Sequence, residues 1–173
     1  DLGGTKIEVV AFNDEGDVLF QQRQPTPATS YKEIIEKIGW LVAATQAVTG
    51  KIERVGICTP GAISPFTGKI KNSNTVCLID QPMQKDLAKF LKCEVVMAND
   101  ADCFALSESI DGAAKGARSV FGVILGTGVG GGLVIEGRLV GGPNAIAGEW
   151  GHNPLPWVTE QDFPAHKCYC GKE

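Results

Sequence analysis

Apolar residues fall along this chain in two rhythms. Ile34, Ile35, Ile38, Leu41 and Val42 recur at the spacing of one helical face. Ser30 and Glu33 ahead of them make a capping box, and Gly50 behind them is a helix terminator. Leu87, Phe90 and Leu91 predict a second helix, and the stretch from Ala101 to about Ile110 a third. Between the helices stand β-prone runs: Ile7–Phe12, Val18–Gln22, Arg54–Cys58, Glu94–Met97 and Ser119–Leu125. The first two are joined by Asn13-Asp14-Glu15-Gly16, residue types that turn a hairpin. A hairpin followed by alternating strands and helices predicts the α/β class, a mixed sheet flanked by helices.

Two glycine-rich breaks interrupt this pattern. Gly126-Thr127-Gly128-Val129-Gly130-Gly131-Gly132 follows the strand ending at Leu125 and precedes Leu133-Val134-Ile135, with Glu136-Gly137 as a turn behind. Gly126, Gly128 and Gly131 fit the spacing G-x-G-x-x-G, but the dinucleotide fingerprint needs a helix straight after the glycines. Leu133-Val134-Ile135 before a turn is no helix start, so the reading is strand, glycine loop, strand. Such a loop lets backbone N–H groups approach an anion, and Thr127 adds a hydroxyl. Asp1-Leu2-Gly3-Gly4-Thr5-Lys6, running into Ile7–Phe12, is a near copy. Two such loops suggest a grip on one polyphosphate.

Composition narrows the classes. At 173 residues, 43% hydrophobic and 21% charged, the chain can bury a core as one large domain or two small ones. A net charge of -4 without a basic stripe argues against a nucleic-acid partner. No apolar run approaches the ~18 residues of a membrane span, and no signal-like segment opens the chain. Cys58, Cys77, Cys93 and Cys103 are scattered singly, as reduced thiols are, and only Cys168 and Cys170 cluster. The expectation is a cytoplasmic protein without a membrane. Asp1 begins without an initiator Met or a strand ahead of the first glycine loop, and Glu173 stops within a cysteine motif. More chain is therefore expected at both ends.

Pro60-Gly61, Asn99-Asp100 and Gly126-Thr127 each follow the carboxyl end of a predicted strand, the edge where open α/β sheets bind ligands. Asp100 ahead of a helix suits either an N-cap or a catalytic carboxylate, and Asn99 suits the cap equally well.

The order of the motifs carries a resemblance. Asp1–Lys6, Thr59-Pro60-Gly61, Asn99-Asp100-Ala101, Leu125–Gly132, Gly148-Glu149-Trp150-Gly151-His152 and Cys168-Tyr169-Cys170-Gly171 together closely resemble the ROK family of bacterial sugar kinases and repressors. Ile63–Gly68, Lys71–Asn74 and Gly148–Trp157 look most like its fructokinase branch. The resemblance implies the actin-like, ribonuclease-H-like fold of two α/β domains, with residues 1–117 as the first and 118–173 opening the second. It implies ATP-dependent phosphorylation of a hexose, D-fructose to fructose 6-phosphate first, with mannose, glucose or N-acetylglucosamine as alternatives. A sugar-responsive repressor fragment is a further alternative, although the chain is acidic and such repressors carry a DNA-binding module ahead of the first glycine loop.

Roles follow from the same resemblance. Asp100 matches the general base, a carboxylate that takes the hydroxyl proton as the phosphoryl group arrives. Gly61, Asn74, Asn99, Asp100, Glu149 and His152 match sugar-binding positions, whose groups suit hydroxyls that both donate and accept. Gly3, Gly4, Thr5 and Lys6, with Gly126, Thr127 and Gly128, match the phosphate loops. Asp1 would approach Mg²⁺ through water. His152, Cys168 and Cys170 match three ligands of a structural Zn²⁺, a fourth lying past Glu173. His166 suits a solvated loop side chain, and Trp150 and Trp157 packing around the zinc loop. The family also implies a homo-oligomer, with a homodimer the expected form.

Overall fold

The computed structural model describes residues 1–126, 128–165 and 167. Strands β1 (Lys6–Phe12) and β2 (Val18–Pro25) form the expected antiparallel hairpin, closed by Asn13 and Gly16. Helix α1 (Tyr31–Thr49) follows, capped by Ser30, whose side chain accepts the Glu33 N–H at 3.3 Å. Gly50 closes it at φ 84°. All five of its predicted apolar positions are buried. Strand β3 (Arg54–Thr59) leads into a small hairpin of β4 (Ala62–Ile63) and β5 (Ile70–Lys71), which hydrophobic periodicity does not announce. Helix α2 (Met83–Leu91) then delivers β6 (Glu94–Asn99), which pairs in parallel with β3. Helix α3 (Asp100–Ile110) starts on the next residue. Strands β7 (Ser119–Leu125), β8 (Val129–Ile135) and β9 (Arg138–Leu139) form an antiparallel meander.

One apolar cluster holds the first part together. Leu2, Ile7, the inner face of α1, Ile57, Ile70, Leu78, Met83, Leu87, Val95 and Met97 meet in it. Tyr31 on α1 donates to Asp86 on α2 at 2.6 Å, and burial together with that carboxylate pushes its phenol well above the usual range. The expected single mixed sheet is instead four separate ladders among the described residues. Asp1 exchanges backbone hydrogen bonds with Glu8 at 2.7 and 2.9 Å, while the Leu2 N–H donates to the Cys58 carbonyl at 2.9 Å. The first two residues thus bridge β1 and β3, whose facing edges flank a cleft of about 680 Å³ floored by α1. Of the candidate site residues among those described, only Asp1 lines that cleft. Among the described residues no helix is long and apolar enough to cross a membrane.

Candidate active site

The site grows from the carboxyl ends of β3 and β6. Parallel pairing sets Thr59 level with Asn99, so both chains leave the sheet together. β6 runs on past the expected Met97 to Asn99, which becomes the cap of α3. Its side-chain oxygen accepts the N–H groups of Ala101 at 2.9 Å and Asp102 at 3.3 Å. Its amide donates back to the Gly61 carbonyl at 3.0 Å. Asn99 therefore clamps the head of α3 to the end of β3, which settles the choice between Asn99 and Asp100 as cap. Asp100 is left exposed on the first helical residue, where among the described residues it accepts only the Ala101 N–H, at 2.9 Å.

Gly61 occupies a position no other residue fits well. Its φ is 83°, and a Cβ there would lie 2.5 Å from the Lys71 carbonyl oxygen and 3.0 Å from Ser73. That close approach brings Ser73, Asn74 and Thr75 in beside it. The first glycine loop comes to the same place: a Cβ on Gly4 would meet the Thr75 hydroxyl at 3.7 Å and the Asn74 oxygen at 4.0 Å. Gly3 donates to the Lys6 carbonyl at 2.9 Å, closing a tight turn that Thr26 holds through the Gly3 carbonyl at 2.7 Å.

The second glycine run has two functions, not one. Only Gly126, Thr127 and Gly128 lie between the paired ends Leu125 and Val129, and the Gly126 N–H donates to the Gly128 carbonyl at 2.9 Å. Thr127 itself lies outside the described residues. The expected loop through Gly132 is thus shorter, because Gly130, Gly131 and Gly132 belong to β8. Gly131 and Gly132 are glycines for packing. A Cβ on Gly132 would stand 2.5 Å from the Ala101 carbonyl oxygen and 2.8 Å from the Asp102 Cα, so β8 lies directly on the first turn of α3. At the turn, no atom of the described residues beyond its chain neighbours lies within 4 Å of where a Gly128 Cβ would be. That open backbone is what close approach of a phosphate requires.

Gly148 and Gly151 bring the next segment across β8, where side chains there would strike the Gly131 and Val129 carbonyls. Lys71 holds the preceding loop by donating to the Asn144 carbonyl at 2.6 Å. Glu149 consequently faces the head of α3. Burial pushes its carboxyl up from the usual value, the negative charges of Asp100 and Asp102 push it further, and His152 partly offsets them. Asp102 is raised too, by burial first and then by Asp100. Glu149 thus feels the charges of Asp100 and His152, two of the candidate site residues, and of Asp102, which the sequence reading did not single out. Periodicity hides Asp102, because residues two apart do not share a helix face.

Trp150 donates its indole N–H to the Gly130 carbonyl at 2.8 Å and meets Phe121 edge-on with centroids 6.4 Å apart. It packs on β7 and β8, while Trp157 is 92% exposed and the zinc loop it is expected to pack around lies outside the described residues. The expected zinc site is open to test only at His152, since Cys168 and Cys170, like His166, lie outside the described residues. Among the described residues no group of three or more His, Cys, Asp or Glu could hold a metal. The four described cysteines are free, as expected, but half-buried rather than core.

The α/β chain, with carboxylates at the head of α3 and two glycine turns, has the actin-like ATPase fold of the ROK sugar kinases it superposes on. The ROK family model matches residues 1–173, and the chain belongs to the ROK family. It is 41% identical over 176 residues to an N-acetyl-D-glucosamine kinase of Pectobacterium atrosepticum, across 99% of this chain and 58% of that protein. The chain thus spans under two thirds of that relative's length. Among solved structures it superposes on the ROK hexokinase from Thermus thermophilus with a TM-score of 0.80 and 32% identity, across 99% of this chain and 55% of that one. A ROK glucokinase from Streptomyces griseus, crystallised with glucose and AMPPNP, gives 0.79 and 29% identity, across 89% and 49%.

Proposed function

We propose that this chain is the sugar-holding part of an ATP-dependent hexose kinase in which the Asp100 carboxylate is the general base. The observation that carries the reading is the division of labour at the head of α3: Asn99 does the capping, and Asp100 stands exposed beside Glu149. As the γ-phosphoryl of ATP transfers, Asp100 accepts the proton of the attacking sugar hydroxyl, worth about 10²–10⁴-fold in rate. Asn74, Glu149, His152 and the Gly61–Asn99 corner bind the remaining hydroxyls. Gly3–Lys6 and Gly126–Gly128 hold the phosphates through backbone N–H groups. Mg²⁺, which Asp1 would approach through water, spreads charge over the β- and γ-phosphates.

Among hexoses, the relatives named for N-acetyl-D-glucosamine and glucose favour an aldohexose over the fructose expected from sequence. We therefore place N-acetyl-D-glucosamine first and fructose second, with the primary hydroxyl as acceptor. Residues 1–117 form the first domain and 118–173 the opening of the second, in a cytoplasmic homodimer. His152, Cys168 and Cys170 hold a structural Zn²⁺, for which thiolate and imidazole are suitable donors. The test is ADP release by the full-length protein with N-acetylglucosamine, glucose, mannose and fructose, alongside metal analysis. ADP release with none of the four would refute the kinase reading, as DNA binding relieved by sugar would. Zinc-free active protein would refute the metal assignment.

A further inference from the structure

The loop that brings Glu149 to the head of α3 holds a backbone angle its sequence does not favour. After β9 the chain folds on itself over residues 141–149. Ala145 donates to the Gly142 carbonyl at 3.3 Å, Ala147 to Gly141 at 3.2 Å and Glu149 to Ile146 at 3.1 Å. Gly142 takes a φ of 64°, which glycine adopts freely. Ala145 takes 52°, in the left-handed region that a Cβ opposes. A non-glycine residue keeps such an angle only where its surroundings impose it.

Lys71 supplies the restraint. Its ammonium donates to the Asn144 carbonyl at 2.6 Å, 73 positions along the chain. That carbonyl belongs to the planar peptide unit joining Asn144 to Ala145, and the φ of Ala145 sets how that unit is turned. Fixing the carbonyl therefore fixes the strained angle. Lys71 is itself anchored: it pairs with Ala62 in the β4–β5 hairpin, and its own carbonyl oxygen lies 2.5 Å from where a Gly61 Cβ would be. The Gly61 carbonyl is in turn bonded to the Asn99 amide at 3.0 Å. Contacts thus run from the head of α3 through Asn99, Gly61, Lys71 and Asn144 to the loop of Glu149, whose carboxyl feels the charge of Asp100 at that same helix head.

We propose that Lys71 is a positioning residue for the sugar, a latch between the β4–β5 hairpin and the loop of residues 141–149 that sets Glu149 against the head of α3. The proposal rests on the kinase reading, and Lys71 acts through Glu149 rather than on the substrate. The apolar cluster of the first part includes neither Lys71 nor the loop, so loss of the latch is felt locally.

The test uses the full-length protein with Lys71→Met, which keeps the apolar stem and removes the donor. Amide exchange read by mass without sugar should rise about tenfold over residues 141–149, the factor for releasing a left-handed alanine. The KM for N-acetylglucosamine, or for whichever of the four hexoses the parent phosphorylates best, should rise at least ~10-fold, while the KM for ATP stays within about twofold. Lys71→Arg keeps a donor and should restore both readings. Adding Ala145→Gly to Lys71→Met removes the strain and should bring back part of the sugar affinity. The proposal is overturned by parental exchange or parental sugar KM in Lys71→Met, or by an equal rise in the two KM values. It is overturned equally if Lys71→Arg, or the added Ala145→Gly, does no better than Lys71→Met alone. A parent that phosphorylates no hexose refutes the proposed function, while exchange still decides whether Lys71 holds the loop.

Discussion

Asp100→Asn separates reaction from fold because the structure asks so little of that carboxylate. Capping of α3 belongs to Asn99, with accepted bonds of 2.9 and 3.3 Å. The one bond Asp100 accepts, from the Ala101 N–H at 2.9 Å, is within reach of an amide oxygen. Loss of a negative charge at an exposed helix head costs about 0.3–1 kcal/mol. Against that stands relief of repulsion, since the Asp100 charge raises the carboxyls of both Asp102 and Glu149. Two opposed terms of this size leave stability within about 1 kcal/mol of the parent. The rate term is larger. Removing a general base costs ~10²–10⁴-fold, or roughly 2.7–5.4 kcal/mol of barrier at 1.36 kcal/mol per decade. Turnover should therefore collapse in a protein that melts and binds sugar almost normally. The assay is ADP release by the full-length enzyme at saturating sugar and ATP, with calorimetric sugar binding and a thermal melt on the same preparation. A variant with kcat within about fivefold of the parent would refute the base assignment. A large drop in melting temperature would refute the division of labour at the helix head.

Other substitutions probe the same corner. Asn99→Ala removes the cap and the tether to Gly61, so it should cost about 0.5–2 kcal/mol of stability in chemical denaturation, more than any Asp100 variant. Gly132→Ala pushes a methyl group into the Ala101 carbonyl; it should destabilise by roughly 1–3 kcal/mol and depress kcat as α3 shifts, and a neutral outcome by melt and assay would contradict the packing role of β8. The pH dependence has a definite sign. Glu149 and Asp102 titrate above their ordinary values of 4.5 and 3.8 when folded, so the stability they contribute is full below those values. It is lost as pH rises through the raised folded pKa. Melting temperature should fall less across that window in Glu149→Gln than in the parent, and parallel curves would contradict the clustering of the carboxylates.

The glycine run shows where sequence reading stops. Strand, loop, strand was legible from the apolar runs around it, because β-prone residues and turn formers act locally. Which glycines turn and which pack was not, since that depends on α3 lying against β8. The same holds at Asn99-Asp100. Both residue types cap helices, and only the tether from Asn99 to a carbonyl 38 positions earlier assigns the cap to one and leaves the other exposed. Helix α1 needed no such help: its buried stripe, Ser30 cap and Gly50 terminus are all written within some twenty residues. Asp102 and Lys71 entered the site only through neighbours far along the chain, Glu149 and Asn144. Periodicity, caps and turns are short-range, so the sequence by itself determined the longer helices and strands, the α/β class and the strand ends where the candidate residues stand, but not the short β4–β5 hairpin. Parallel pairing of β3 with β6 and the crossing of residues 148–151 over β8 are long-range contacts, and only the folded chain decided which polar groups are spent on structure and which face a ligand.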